Sequence, residues 1–258
     1  MEHNLFEQDR TKKYQGQAHI HLLLRGAYEY FSYKKVYSEE NFLVYRNSKD
    51  SSLIFDSELL TRLDSGEFLK ILLTYRLNKN WVPQEVLVDK QVGKKTSKEI
   101  FSMDFKKNIL SYQFTNSDGY IKEVRLQVPP KYQIATYNTV TSFLFISSKK
   151  YDPTGKNFHN ILVANNLLTY VLPPQMNYIV LERISNTPQN VRINDKNLKA
   201  TIYKAYSQNS FEKKNEGPLE IFISKHYSIP YMIECNKNIK IQIKFLHEAD
   251  NVSSTEYV

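Results

Sequence analysis

The sequence predicts an all-β protein: a long antiparallel meander forming a strongly curved sheet, half-barrel or open barrel, with one or two short helices. Three observations carry that prediction. Apolar and polar residues alternate in segment after segment, turn residues separate the segments about every ten residues, and aromatic residues are plentiful where glycine is scarce. The 258 residues include 19 Tyr and 14 Phe but only 7 Gly. Aromatic and β-branched side chains suit strands, because they pack against cross-strand neighbours on a pleated surface. So few glycines argue against phosphate-cradling loops and a Rossmann-type domain.

The alternation is clearest between Asn190 and Leu246. Leu219, Ile221 and Ile223 share one side of a strand, and Ile239, Ile241, Ile243 and Phe245 do so again, with Lys240, Gln242 and Lys244 opposite. Successive side chains of an extended chain point to opposite faces, so this pattern describes a sheet with one wet face.

Taken in order, residues 1–17 are polar and aperiodic and read as a disordered end. Strands are expected over 18–34, 41–47, 52–62, 67–77, 84–91, 97–105, 108–115 and 120–128. Between them lie turn residues: Asn47-Ser48-Lys49-Asp50, Asp64-Ser65-Gly66, Lys106-Lys107-Asn108 and Asn116-Ser117-Asp118-Gly119, with Asp-Gly the strongest hairpin signal. In the strand 67–77, Leu69, Ile71, Leu73, Tyr75 and Leu77 form an apolar face, while Phe68 and Leu72 interrupt the polar face of Lys70, Thr74 and Arg76. A partly apolar second face calls for a cover: a helix, a second sheet or a ligand. Pro129-Pro130 ends this meander, since proline donates no ladder hydrogen bond. Residues 131–172 are the least strand-like. There Phe158, Ile161, Leu162 and Asn165 match a helical face, led in by the turn Asp152-Pro153-Thr154-Gly155. Strands resume at 177–185, 190–194, 199–207, 218–225, 229–235 and 239–247, before an acidic tail over 248–258. No internal repeat is visible, and 18–247 reads as a single β-rich domain.

Within the C-terminal part, Val191 to Tyr203 is followed by Pro218-Leu219-Glu220-Ile221-Phe222-Ile223-Ser224 and then Ile229-Pro230-Tyr231-Met232-Ile233. This ordering resembles the last strands of bacterial half-barrel proteins of the periplasmic lipoprotein-localisation (LolA/LolB-like) type and their uncharacterised relatives. The resemblance implies a curved antiparallel sheet whose concave face, capped by helices, holds acyl chains or another apolar ligand. The chain departs from that family in lacking a leader and a lipobox cysteine, which bears on periplasmic transport more than on the fold.

The formal net charge is +8. Abundant Lys, Asn, Ile and Tyr together suit an AT-rich genome, and the lysines fall in scattered doublets such as Lys34-Lys35 and Lys94-Lys95 rather than one run. Drift in composition therefore competes with a functional basic surface, for which an anionic membrane would be the partner. Cys235 is the lone cysteine and cannot form an internal disulfide. No stretch approaches the roughly 20 apolar residues of a membrane helix. The N-terminus carries no signal-peptide pattern, so the chain as written reads as cytoplasmic, or periplasmic if it is a processed form.

Chemical motifs are few. His19 and His21 lie two apart, which on a strand turns both to one face, the geometry of a metal pair or of a general base with a nearby carboxylate. No third ligand accompanies them, His159, His226 and His247 are dispersed, and neither a metal nor a cofactor is expected. No G-x-S-x-G elbow and no Walker loop occurs, and Cys235 reads as a half-buried structural thiol. Tyr28, Tyr30, Phe31, Tyr33 and Tyr37 interleave with Lys34 and Lys35 as in single-strand nucleic-acid binders, but cross-strand packing explains them and nucleic acid is not the expected partner. Asp56, Glu58 and Glu85 are carboxylates on neighbouring strands whose convergence spacing does not reveal.

The leading expectation is a binding module that holds an apolar or amphipathic, lipid-like molecule on the concave face, with rim lysines for an anionic head group. Tyr28, Tyr30, Phe68 and Leu72 are its candidate ligand-binding residues. An enzyme acting on a small hydrophobic substrate in the same cavity, using His19 or His21, is the first alternative. A structural or interaction protein with no cavity is the second.

Overall fold

The computed structural model describes residues 13–14, 16–147, 155–184, 187–193, 195–207, 217–236 and 238–249. Eight strands come first: β1 (Ile20–Ser32), β2 (Lys35–Asn47), β3 (Leu53–Arg62), β4 (Phe68–Leu77), β5 (Pro83–Val92), β6 (Lys95–Asp104), β7 (Ile109–Asn116) and β8 (Ile121–Gln127). The chain then leaves the ladder through β9 (Gln133–Ile134) and two 3-10 turns, Thr139–Thr141 and Leu144–Ile146. It rejoins the sheet with β10 (Gly155–Val163), β11 (Gln175–Arg183), β12 (Gln189–Ile193), β13 (Lys196–Ser207), β14 (Leu219–Ile223), β15 (Pro230–Glu234) and β16 (Ile239–Glu248).

Among the described residues these strands make one 16-stranded sheet in the order β8-β7-β6-β5-β4-β3-β2-β1-β16-β15-β14-β13-β11-β10-β9, with β12 paired to β13. The antiparallel pairing of β16 with β1 joins the early meander to the late one. The sheet does not close, since β8 and β9 end its order. The expected fold class, an antiparallel meander in an open curved sheet, is the one observed.

Cross-strand register builds the core. Leu24, Val44, Phe55, Tyr75, Val86, Phe101 and Tyr112 stand opposite one another across β1 to β7, and all are buried. Each such side chain contributes about 1.5–3 kcal/mol by leaving water. A parallel row runs Gly26, Phe42, Ser57, Leu73, Val88, Glu99 and Phe114, and another runs Tyr28, Glu40, Leu59, Ile71, Lys90 and Ser97. Gly26 is required by close approach: a Cβ there would lie 2.3 Å from Phe42 Cζ and 2.8 Å from the Phe245 carbonyl oxygen. On the opposite face of β2 and β3, Leu43, Tyr45 and Ile54 are covered by Tyr14, and Lys13 reaches Asp56 at 3.5 Å.

Two local expectations are corrected. The helix expected at Phe158, Ile161, Leu162 and Asn165 is replaced by β10, which pairs with β11 along nine residues, Gly155 to Val163. Spacing that fits a helical face also fits a strand when a partner strand satisfies its backbone, and tertiary pairing overrides the local pattern. The short helices are two three-residue 3-10 turns that lie against the inner face. The first hairpin turns at Tyr33-Lys34, both left-handed with φ of 48° and 66°. That is the type I′ geometry usually given to Asn-Gly, so the expected strand ran through 34 and its successor was placed too late. The expected loose ends fall largely on residues outside the described ones.

Candidate binding site

The inner face carries polar groups that water does not reach, and the chain's own segments satisfy most of them, while Asn138 Oδ1 is buried without a hydrogen-bond partner among the described residues. Glu40 is fully buried; its carboxylate accepts hydrogen bonds from Tyr30 Oη at 2.6 Å and from the backbone N–H groups of Thr139 at 2.7 Å and Val140 at 3.3 Å. Burial outweighs these bonds and pushes its pKa up to about 7. Asn138 donates to Ser57 Oγ, and Tyr75 Oη accepts the N–H of Ile134 at 3.0 Å. Farther round the sheet, Lys90 pairs with Glu99 and donates to the carbonyl of Asn166, Tyr112 Oη donates to Glu99 at 2.7 Å, and Asn166 Nδ2 donates to Tyr112 Oη at 2.7 Å. Burial holds the Lys90 ammonium below its usual pKa and Tyr112 above its own. Ser97 Oγ donates to the Leu167 carbonyl. Phe143 and Phe145 pack against Leu181, Tyr203, Ile221 and Ile233 of the late strands. Residues 132–147 and 166–172 therefore cover the fully apolar face of the meander and occupy the middle of the concave face. The partly apolar second face of 67–77, with Phe68 and Leu72, lies outside and, among the described residues, does not receive the cover that the sequence called for.

Space remains at both ends of the sheet: about 780 Å³ beside the β1–β2 and β15–β16 turns, where Glu220 and Glu234 lie among Lys34, Lys204 and Lys240, and a cleft at the opposite end. That cleft, of about 840 Å³, opens where the β2–β3 and β4–β5 turns meet the β14–β15 connection, lined by residues that include Leu23, Leu24, Arg46, Leu53, Trp81 and Tyr227. That volume lies within the range of small-molecule sites, about 300–1,000 Å³. Leu23, Leu24 and Leu53 are buried and form an apolar floor. Trp81 and Tyr227 pack above it, ring centroids 6.2 Å apart and planes 34° apart. Arg46, Lys79 and Lys225 bring positive charge to the lining against the carboxylate of Glu248. His226 Nε2 lies 3.2 Å from Glu248 Oε1. Burial lowers the His226 pKa and Lys225 adds to that, while Glu248 opposes them.

The backbone at this end is unusual. Ser51, Trp81, Tyr227 and Ser228 all have left-handed φ, from 50° to 62°. Bulky residues rarely adopt that region, and such strain collects at sites that hold side chains in set directions. The turns are over-determined: Asn78 Oδ1 accepts the N–H groups of Asn80 at 2.9 Å and Val82 at 3.1 Å, and Ser224 N–H donates to the Ile229 carbonyl at 3.0 Å. Ser147, at the end of the inner segment, hydrogen-bonds Ser228 across the cleft wall.

The residues singled out from sequence do not assemble into one place. Tyr28 and Tyr30 are buried beneath the inner segment, with Tyr28 Oη donating to the Pro230 carbonyl at 2.8 Å. Phe68 is 55% exposed at the start of β4, and Leu72 lines a shallow depression on the outer face with Lys70 and Lys98. His19 precedes β1, and His21 stands exposed opposite Arg46 at the strand's start. Asp56 and Glu58 lie on the outer face, where Asp56 accepts from Thr74 Oγ1 at 2.6 Å and Glu58 pairs with Lys70 at 2.6 Å. Trp81 and Tyr227 were not singled out. The one signal for Trp81 is the chain's single tryptophan set in a polar turn, Asn78-Lys79-Asn80-Trp81.

Comparison with known proteins speaks to the fold. No family model matches the sequence, and no curated protein does. A β-barrel-like protein of the domain of unknown function DUF1849 from Brucella abortus aligns with a TM-score of 0.53 at 8% identity, covering 89% of this chain and 98% of its own. A DUF1089 family protein from Pseudomonas aeruginosa gives 0.49 at 12% identity, over 78% and 90% respectively. The first shares the β-barrel-like curved sheet; neither is named as a lipoprotein-localisation protein. Among the described residues no helix is long and apolar enough to cross a membrane.

Proposed function

We propose that the protein is a binding module for an amphipathic small molecule whose apolar part lies on the Leu23, Leu24 and Leu53 floor and whose anionic head meets the rim cations. The observation that carries this reading is the Trp81–Tyr227 pair, held on strained turns over an apolar floor beside Arg46, Lys79 and Lys225. Aromatic walls with a few convergent polar groups are what small-molecule sites use. Trp81 is the sole tryptophan, so its fluorescence reports on this cleft alone. Titration of delipidated protein with a medium-chain fatty acid should shift that emission saturably, and the matching alcohol should bind less tightly. Emission that responds to neither overturns the reading.

A second reading, an enzyme acting on a small hydrophobic substrate in this cleft, is favoured by His226 beside Glu248. A neutral imidazole held by a carboxylate serves as a general base. Turnover of short acyl esters that disappears in His226→Ala, with fatty-acid binding retained, would support it; no turnover above buffer rate would remove it.

A further inference from the structure

β8 ends the sheet order, pairing with β7 on one side only. Along Ile121–Gln127 no backbone partner lies on its other side among the described residues, and Ile121 is 64% exposed. A seven-residue edge strand turns the backbone groups of alternate residues outward, and that edge is a template for another strand. Its sequence, Ile121-Lys122-Glu123-Val124-Arg125-Leu126-Gln127, is complementary to itself. When two copies run antiparallel with Val124 facing Val124, Glu123 of each stands opposite Arg125 of the other, so the pairing contains two opposite-charge pairs related by the twofold axis. Ile121 then faces Gln127, and Lys122 faces Leu126. Glu123 and Arg125 share one face of the strand, alternate with Val124, and are exposed. Val124 and Leu126, only partly buried against the core, gain apolar neighbours from the second copy.

We infer that β8 is a self-association edge, joining two copies of this chain by antiparallel strand pairing centred on Val124. The twofold closes the pair, because each copy uses the same edge and neither leaves it open for a third. At the other side of the sheet β9 pairs with only Ile161 and Leu162 of β10, and the stretch of β10 left open, residues 155–160, has a single lysine, Lys156, and no acidic residue to complement it in a second copy. Directly opposed Glu–Arg pairs favour this register, while a one-residue slip would place Glu123 opposite Val124 and turn every side chain to the wrong face. Glu123 already accepts a hydrogen bond from Gln113 Nε2 at 2.7 Å, which holds its carboxylate on this face.

A single strand pair buries less than a standard interface, so the dimer should be reversible and populated at ~100 µM. Sedimentation equilibrium of the full chain tests this. Wild type should show a concentration-dependent dimer. Glu123→Arg and Arg125→Glu, at exposed positions, should each be folded monomers by circular dichroism. Mixed one to one, they should form a heterodimer, and the double variant E123R/R125E should dimerise again. A monomeric wild type, whether or not β8 takes up another peptide, overturns the inference. So do single reversals that still dimerise, or a mixture that does not pair.

Discussion

The middle of the sheet and its open end use the same residue types to opposite effect. In the middle, Glu40, Lys90, Glu99 and Tyr112 face inward, and the chain's own turns answer them: Thr139 and Val140 at Glu40, Asn166 at Lys90 and Tyr112. At the end, Arg46, Lys79, Lys225, Trp81 and Tyr227 surround about 840 Å³ of open cleft. Buried charge is tolerated only where it is paired and hydrogen-bonded, so the middle is committed to holding the fold. The open end carries its strain in turns rather than in buried charge.

That contrast is broken most severely in the middle. Lys90→Met leaves Glu99 a buried carboxylate without its cation, and loss of one partner of a buried pair costs about 3–5 kcal/mol. Urea unfolding should show that loss. A change below ~1 kcal/mol would mean that the Lys90–Glu99 pair is not what anchors the inner segment.

Glu40 should give the next largest effect. Its folded pKa of about 7 lies above the reference 4.5, so the folded state holds the proton more tightly than the unfolded one. Its stabilising contribution is complete below pH 4.5 and is lost as pH rises through 7, by roughly 3 kcal/mol at ~1.4 kcal/mol per unit. Stability measured from pH 4.5 to 8 should fall more steeply in wild type than in Glu40→Gln, which cannot ionise. Parallel curves would remove Glu40 from the account.

At the open end the same contrast predicts that function and stability separate. Trp81→Gly removes the ring but suits φ of 62°, where glycine is unstrained. Folding stability should fall by no more than ~1 kcal/mol, relief of the left-handed strain offsetting part of the packing lost with the half-buried ring. Affinity for an amphipathic anion, measured by calorimetry, should drop about tenfold or more. Equal losses in both would make Trp81 a core residue and not a ligand wall. Smallest of all, Lys79→Glu or Lys225→Glu should weaken binding a few-fold at low salt and not at high salt, since exposed charges are screened. An effect independent of salt would point away from a charged head group.

The strand pattern was largely legible because it is written in residue alternation. β3 to β8 fall within a residue or two of their expected bounds, since Leu69, Ile71, Leu73, Tyr75 and Leu77 mark a face that solvent forces inward. The turn at Tyr33-Lys34 was illegible because side chains that disfavour left-handed φ adopt it under the pull of the long β1–β2 ladder. Strand β10 was illegible because its apolar spacing suits a helix equally well until β11 supplies hydrogen-bond partners. The cleft was illegible for a different reason. Arg46, Trp81, Tyr227 and Glu248 are distant in sequence, and no periodicity connects them.

Local physics thus settled the secondary structure and its wet and dry faces: alternation decides which side chains leave water, and that preference belongs to each segment alone. Tertiary structure decided what the dry face meets. The pairing of β16 with β1 joins the two meanders, residues 132–147 and 166–172 cross the concave face, and Glu40, Lys90 and Glu99 find partners up to 100 residues away. Those partners are chosen by burial and hydrogen bonding across the sheet, contacts that exist only once the chain has curved around them.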